Sequence, residues 1–338
     1  MKIFETVFSE QELTPVIEVL KNGQLGFGEN VCKLEERFAH FSKSKYNTAV
    51  NSASAAAFII YEFLKEEHGI CDVYTTTLGF TSPAWAAHRV GHNVKFVDVG
   101  EDLLFDCEDY KNKRNNSNSK NKVVLMPVLY GGVSKIKRWD TYGDEIIVTD
   151  SAHCITPTIK SDYTFFSFHP YKPVCTSDGG MISTDHKKAD EYFKSYRNFG
   201  RIQIKDSYDI IQSGFKFYMN NLNATIGLIS LDKYKTTLDI RKKNYNFIKK
   251  NVMIENILLS HDQHSSYYFA TVFCKNADDK MNKLNIARHY PMLHKTTFFN
   301  NGQKLVNCEN LYNMFCNIPI HENLTQNDME MIVELVNE

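Results

Sequence analysis

The 338-residue sequence lacks long apolar runs and closely spaced cysteines. No uninterrupted apolar stretch is long enough to span a bilayer, and the charged first residues lack the apolar core of a signal peptide. The eight cysteines are scattered without a Cys-x-x-Cys pair, which argues against a disulfide framework and a zinc ribbon. We therefore expect a cytoplasmic protein with reduced thiols, no metal site and no membrane partner.

A net charge is also nearly missing, because 39 Lys and Arg residues face 40 Asp and Glu residues. This balance argues against non-specific nucleic-acid binding, which usually needs a basic surface. The Asn-rich, basic stretch 110–122 is predicted to be a solvated surface loop or a frayed helix end. With 43% hydrophobic residues, the chain is long enough for two globular domains.

The most informative stretch, 162–183, places Lys172 between two strand-like runs at 164–168 and 179–183. An amine held between apolar strands loses solvation. Its pKa then falls, and the neutral amine becomes the nucleophile that a Schiff base with an aldehyde cofactor requires. A lysine alone is more often a solvated surface charge. The residues around Lys172 are therefore needed to distinguish a catalytic amine from a surface lysine.

Two further segments carry groups that suit such a cofactor. An apolar run at 145–150 ends in Asp150, at the strand end where open α/β sheets bind ligands. A protonated pyridine nitrogen would satisfy a buried carboxylate there, although a helix N-cap is an equally good interpretation. The strand at 46–50 leads into a helix start at 51–57 containing Ser54, which is either a simple cap or a phosphate site.

The string SFHPYK at 167–172, followed by SDGG at 177–180, resembles the lysine segment of the DegT/StrS nucleotide-sugar aminotransferases, which use pyridoxal phosphate. That family places a serine five residues before its Schiff-base lysine and a Gly-Gly pair soon after it. Both spacings are met here. The resemblance extends over nearly the whole chain and is most specific at the lysine segment and at DSAH, 150–153.

The resemblance implies a role for each residue around the cofactor ring. Lys172 would hold pyridoxal phosphate as a Schiff base and carry a proton during catalysis. Asp150 would pair with the pyridine nitrogen, and His153 would lie near the ring hydroxyl. Phe80 and Ala152 would contact the two faces of the ring.

The resemblance also implies a phosphate site. Ser54 stands where the family has threonine, Ala53 where it has glycine, and Ser167 is the serine five residues before the lysine. Lys216 occupies the position of an asparagine that reaches across the dimer interface to the partner's cofactor phosphate. Tyr218 replaces an arginine of the same family segment.

The implied fold is α/β, the fold type I of pyridoxal-phosphate-dependent transferases typified by aspartate aminotransferase. Residues 1–233 would form a large domain with a mostly parallel sheet, and residues 234–338 a smaller C-terminal α/β domain. Strand-like runs that alternate with helical patterns favour the α/β class independently. A separate long helix is predicted from about Tyr234, and 288–291 is predicted to be a loop facing the cleft.

The implied function is transfer of an amino group from L-glutamate to a nucleotide-linked keto-deoxysugar for polysaccharide biosynthesis, by a homodimer that shares its active sites. A 4-keto-6-deoxyhexose is favoured, linked to dTDP or alternatively to GDP or UDP, giving a 4-amino-4,6-dideoxyhexose. A 3-keto sugar aminotransferase is the alternative within the family.

Three other functions are weighed against this one. A dehydratase branch of the family carries histidine in place of Lys172. A non-catalytic regulatory protein that binds pyridoxal phosphate stays open because of Lys216 and Tyr218. A desulfurase would need a catalytic cysteine on a mobile loop, and Cys175 is better interpreted as a core residue.

Overall fold

The computed structural model describes residues 1–253 and 259–338. Seven strands form one sheet in the order β1-β7-β6-β5-β4-β2-β3. The strands of this sheet are β1 (Tyr46–Val50), β2 (Asp72–Thr76), β3 (Asn93–Val97), β4 (Val123–Met126), β5 (Ile146–Asp150), β6 (Tyr163–Ser167) and β7 (Gly180–Thr184). Strands β2 to β6 pair in parallel, whereas β7 is antiparallel to both β1 and β6. The mostly parallel sheet and the α/β class are confirmed.

Helices cover both faces of the sheet, which explains why its central strands are continuous apolar runs. The helices are α1 (Thr14–Asn22), α2 (Glu29–Ser42), α3 (Ala53–His68), α4 (Thr81–Val90), α5 (Cys107–Asn115), α6 (Lys187–Tyr196), α7 (Asn221–Asn251), α8 (Ala277–Leu284), α9 (Val306–Leu311) and α10 (Gln326–Asn337). On one face, α3, α4 and α6 bury residues such as Ile60, Ala87 and Phe193 against Val73. No helix in the described residues is long and apolar enough to cross a membrane.

The C-terminal residues pack on the other face of the sheet. Phe269 and Phe315 join Tyr74, Phe96 and Leu125 in one apolar cluster. The remaining strands form two small antiparallel pairs: β8 (Arg201–Ile204) with β9 (Ser207–Ile210), and β10 (Ala270–Phe273) with β11 (Phe315–Ile318). The C-terminal third therefore covers the β2, β3 and β4 part of this second face, and α2 and α7 cover its β1, β6 and β7 part.

Helix α7 differs from the expectation of a separate helix starting near Tyr234. Asn220 caps it by accepting a hydrogen bond from the Asn223 amide at 2.8 Å, and 31 residues then run without a break. No proline interrupts this segment. The predicted domain boundary at 233/234 thus falls inside one continuous helix, and it stays a prediction.

The stretch 110–122 is partly helical. Helix α5 ends at Asn115, and the Asp106 carboxylate caps its start by accepting from the Glu108 and Asp109 amides. Arg114 on its last turn pairs with Asp144. The interpretation as a helix end holds for the first half of the stretch, and turns and irregular segments form the second half.

Candidate active site

A cavity of about 360 Å³ lies beyond the carboxyl ends of the parallel strands. Its walls come from segments that directly follow strands: Phe80 after β2, Leu129 after β4, Ala152 after β5 and Lys172 after β6. The start of α3 and the turn before β7 complete the lining. This is the edge at which open α/β sheets bind ligands.

Lys172 lies in the loop that connects β6 and β7. Its amide donates to the His169 carbonyl oxygen at 2.9 Å, which fixes a turn. The ammonium nitrogen lies 4.5 Å from the centre of the Tyr268 ring and has no hydrogen-bond partner among the described residues. Burial lowers the pKa of Lys172 to about 7, and the charge of Asp150 only partly opposes this. A large share of the amine is therefore neutral at physiological pH.

Asp150 ends β5 and is only 4% exposed. Its backbone exchanges hydrogen bonds with Pro127 and Leu129 on the strand-β4 side, and one carboxylate oxygen accepts from the Ala152 amide at 3.0 Å. Burial raises the pKa of Asp150 to about 6, against the effects of that amide and of Lys172. Within the described chain the second oxygen has no donor, so a cationic group in the cavity would complete this site.

The start of α3 forms an anion cradle. The Ser52 hydroxyl accepts from the Ala55 amide at 3.1 Å, which leaves the amides of Ala53 and Ser54 without intrahelical partners. These amides and the positive end of the helix dipole favour an anion. Ser54 is an exposed residue, and Ser52, Ala53 and Ser54 all line the cavity.

Gly180 allows β7 to pass directly beneath this helix start. A Cβ atom there would lie 2.7 Å from the Ala53 nitrogen and 2.8 Å from the carbonyl oxygen of Phe166. Ser167, which pairs with Gly180 across the strands, also lines the cavity and accepts from the His169 amide at 3.4 Å. The close approach brings both serines predicted to bind phosphate to the same wall.

His153 and Phe80 meet at Tyr290. His153 is 4% exposed, and its Nε2 lies 2.9 Å from the Tyr290 hydroxyl. Its Nδ1 is buried without a partner in the described structure. Burial, with the nearby Lys172 charge, lowers the pKa of His153 well below its usual value, so the ring is neutral. Phe80 is 56% exposed and contacts the edge of Tyr290, with ring centres 5.6 Å apart.

An aromatic wall completes the cavity, and the sequence indicates only part of it. Phe4 stacks on Tyr268 at 4.3 Å between ring centres and meets His289 edge-on at 5.2 Å. His289 and Tyr290 belong to the segment predicted to face the cleft, and both line the cavity. No local pattern predicts Phe4, because its partners lie hundreds of residues away.

Lys216 is not part of the cavity of its own chain. It is exposed, and its ammonium nitrogen lies 5.7 Å from the Tyr218 ring centre. Its backbone is nonetheless close to the strand before α3, because the Lys216 carbonyl oxygen accepts from the Asn51 side chain at 3.4 Å. Its predicted contact with a partner's phosphate stays a prediction.

A family model for the DegT/DnrJ/EryC1/StrS aminotransferases matches residues 7–337. The chain belongs to this family. The resemblance seen in the sequence is thereby confirmed, and with it the assignment as a pyridoxal-phosphate-dependent sugar aminotransferase.

Among its relatives, UDP-4-amino-4,6-dideoxy-N-acetyl-beta-L-altrosamine transaminase of Campylobacter jejuni is 25% identical, with 96% of this chain and 93% of the relative covered. The Bacillus subtilis spore coat polysaccharide biosynthesis protein SpsC is 28% identical over 67% of this chain and 62% of its own.

Solved structures of the family share the fold. Helicobacter pylori PseC, an aminotransferase involved in the biosynthesis of pseudoaminic acid, superposes with a TM-score of 0.89 at 20% identity, covering 99% of this chain and 97% of that chain. The PMP form of Spr1654 from Streptococcus pneumoniae gives 0.87 at 22% identity, with 100% and 98% covered. The predicted fold type is confirmed by these neighbours.

The residues of this DegT/DnrJ/EryC1/StrS chain fit pyridoxal phosphate. A partly neutral amine can take the aldehyde, the unpaired oxygen of Asp150 can take the ring nitrogen, and the start of α3 can take the phosphate. The unpartnered Nδ1 of His153 is a further polar atom that a ligand could satisfy. The aldehyde, the ring nitrogen and the phosphate of the cofactor thus each match a polar group that has no partner in the described protein.

Proposed function

We propose that this chain transfers an amino group from L-glutamate to the keto group of a nucleotide-linked 4-keto-6-deoxyhexose. The observation that carries the proposal is one cavity that combines a lysine of lowered pKa, a buried carboxylate and a helix N-terminus. Relatives named as transaminases of a UDP-linked 4-amino-4,6-dideoxy sugar lead us to propose UDP as the nucleotide, in preference to the dTDP favoured from the sequence.

We assign a role in this reaction to each residue around the cofactor ring. Pyridoxal phosphate, when bound, would supply an aldehyde that carries the amino group between the two substrates and a ring that acts as an electron sink. The neutral Lys172 amine binds the aldehyde and later moves a proton at its nitrogen. Asp150 keeps the ring nitrogen protonated, and Phe80 and Ala152 flank the ring.

The phosphate and the ring hydroxyl are held by the remaining groups. Ser54, Ser167 and the amides at the start of α3 bind the phosphate, assisted by Lys216 of a second chain in a homodimer. His153, oriented by its contact with Tyr290, faces the ring hydroxyl with its unpartnered nitrogen. The aromatic wall of Phe4 and Tyr268 limits the solvation of the amine, which maintains its lowered pKa.

The first test is the visible spectrum of the protein loaded with pyridoxal phosphate, before and after L-glutamate is added. We expect the absorption band of the lysine-bound cofactor to disappear as the pyridoxamine form accumulates, with neither band conversion nor turnover in Lys172→Ala. A band that forms but ignores glutamate favours the non-catalytic alternative. A panel of UDP- and dTDP-linked 3-keto and 4-keto sugars, with NMR of the products, then identifies the nucleotide and the aminated carbon.

The shared site is tested by mixing two inactive variants, Lys172→Ala and Lys216→Ala. If Lys216 serves the partner's cavity, each mixed dimer has one complete site, and random 1:1 mixing restores about a quarter of wild-type activity. Mixing restores nothing if Lys216 acts within its own chain. Full activity of Lys216→Ala alone removes the residue from the site.

A further inference from the structure

Outside the cavity, the small sheet of β10 and β11 brings two free thiols together. Cys316 lies in β11, and Cys274 directly follows β10. The register pairs Val272 with Cys316, so Cys274 is its diagonal neighbour on the same face of the sheet. The two sulfur atoms are 3.6 Å apart. They are in hydrogen-bond contact and need to approach to about 2.05 Å to form a bond.

The surroundings favour the thiolate of Cys274. The two sulfur atoms share one hydrogen bond, for which either thiol can be the donor. This contact, together with Lys280 and Arg288, lowers the pKa of Cys274 against the effect of burial. The same contact and burial raise the pKa of Cys316. Lys280 is 4% exposed and donates to the Val336 carbonyl oxygen at 2.7 Å, with no carboxylate partner among the described residues.

The other buried cysteines provide an internal contrast. Burial raises the pKa of Cys71 to about 11 and that of Cys308 to about 12, and neither contacts a second sulfur in the described residues. Cys32 is exposed and has no such neighbour either. A thiolate beside a neutral thiol is the arrangement of an oxidisable cysteine with its resolving partner.

We propose that Cys274 and Cys316 form a redox site, a dithiol that a small peroxide oxidises to an intramolecular disulfide between β10 and β11. The Cys274 thiolate attacks one oxygen of hydrogen peroxide, the O–O bond breaks, hydroxide leaves, and a sulfenic acid forms. The Cys316 sulfur then attacks the Cys274 sulfur and the S–O bond breaks. The oxygen leaves as water with the proton of the Cys316 thiol.

This site is connected to the cavity through β11. The Phe315 carbonyl oxygen accepts from the Arg288 guanidinium at 3.1 and 3.2 Å, and the Asn317 side-chain oxygen accepts from the His289 amide at 2.8 Å. Cys316 lies between these two anchors. Forming the disulfide shortens the sulfur–sulfur distance and thereby displaces β11, to which the His289 amide is hydrogen-bonded. His289 lines the cavity.

The test uses the full chain with Cys32→Ser, exposed to stoichiometric hydrogen peroxide, alkylated after unfolding and mapped without reduction by mass spectrometry. We expect a peptide pair linked through Cys274 and Cys316, 2 Da lighter than the dithiol and reversed by a dithiol reductant. It should form at least about tenfold faster than Cys71 or Cys308 is modified. Equal modification of all cysteines, or none at this pair, overturns the proposal.

Two further measurements separate the mechanism from simple unfolding. In Cys316→Ser, dimedone should trap a sulfenic acid on Cys274, whereas in Cys274→Ser the Cys316 thiol should stay unmodified. Hydrogen exchange at the His289 amide should differ between the reduced and the disulfide form of the Cys32→Ser chain. An unchanged exchange rate at that amide refutes the connection to the cavity. These readouts need neither cofactor nor turnover.

Discussion

Replacing Lys172 by methionine should stabilise the cofactor-free protein while it abolishes activity. The amine stands beside Tyr268 with no hydrogen-bond partner in the described structure, and its pKa falls from 10.5 to about 7. Methionine has a similar length and no charge to desolvate. The position therefore trades stability for a reactive amine, as functional sites often do.

The magnitude follows from proton linkage. Between pH 7 and 10.5 the unfolded chain keeps the lysine proton and the folded chain releases it, so the folding stability rises with pH across this interval. Each of the 3.5 pH units corresponds to about 1.4 kcal/mol of folding stability. Below pH 7 the buried lysine therefore lowers the free energy of unfolding by about 5 kcal/mol at most. Because the side chain keeps partial solvent contact, we expect about half of this amount as the gain for Lys172→Met at pH 7.

The assay is urea unfolding of cofactor-free wild type and Lys172→Met at pH 7, 8, 9 and 10. The stability gain of the variant should shrink steadily towards pH 10, because the wild type recovers its penalty there. The comparison cancels every other titrating group, and Asp150, whose pKa is raised to about 6, titrates below this range. The exposed Lys160→Met serves as the matched control. Parallel stability profiles for wild type and Lys172→Met refute the buried-amine argument.

Three further predictions follow from the same contacts. Asp150→Asn should keep the fold but lower kcat at least about 100-fold, because an amide cannot stabilise a protonated ring nitrogen; steady-state kinetics check this, and near-normal turnover contradicts the proposed role. Gly180→Ala should lower the free energy of unfolding in urea by about 1 to 3 kcal/mol and weaken pyridoxal phosphate binding, because the added Cβ atom meets backbone atoms on both sides. Gly26→Ala is the control, since a Cβ atom there has no neighbour within 4 Å, and it should change neither property. Arg197→Met should destabilise the protein by about 3 kcal/mol, because it leaves the Glu35 carboxylate, which is only 13% exposed, without its cationic partner. A loss below 1 kcal/mol in the same assay rules out a stabilising pair.

Local patterns are sufficient for much of the sheet and for the residues at its strand ends. The strand 46–50 is predicted with the bounds observed for β1. Asp150 ends one apolar run and Lys172 lies in the loop after another, so their place at one edge follows from parallel topology. The start of α10 is fixed just as locally, because the Thr325 and Asp328 side chains form a capping box three residues apart. In these cases the decisive interactions lie within a few residues along the chain.

Long-range contacts account for what the sequence does not reveal. Phe4 becomes a cavity residue only by stacking on Tyr268, and Cys274 meets Cys316 only through the register of two distant strands. Gly227 in α7 is a third example. A Cβ atom there would lie 2.7 Å from the Thr176 side chain, so this glycine permits close packing within an unbroken helix.

The unbroken helix α7 gives the molecule a mechanical lever about 46 Å long. Near its start, the Asn223 side chain donates to the Asp178 carbonyl oxygen at 2.6 Å, at the rim of the cavity. Farther along, Arg241 is tied to Glu322 at 2.8 Å, in the C-terminal part of the chain. Because a continuous helix tilts more readily than it bends, we expect a displacement of the C-terminal part to change the tilt of α7 at the mouth of the cavity.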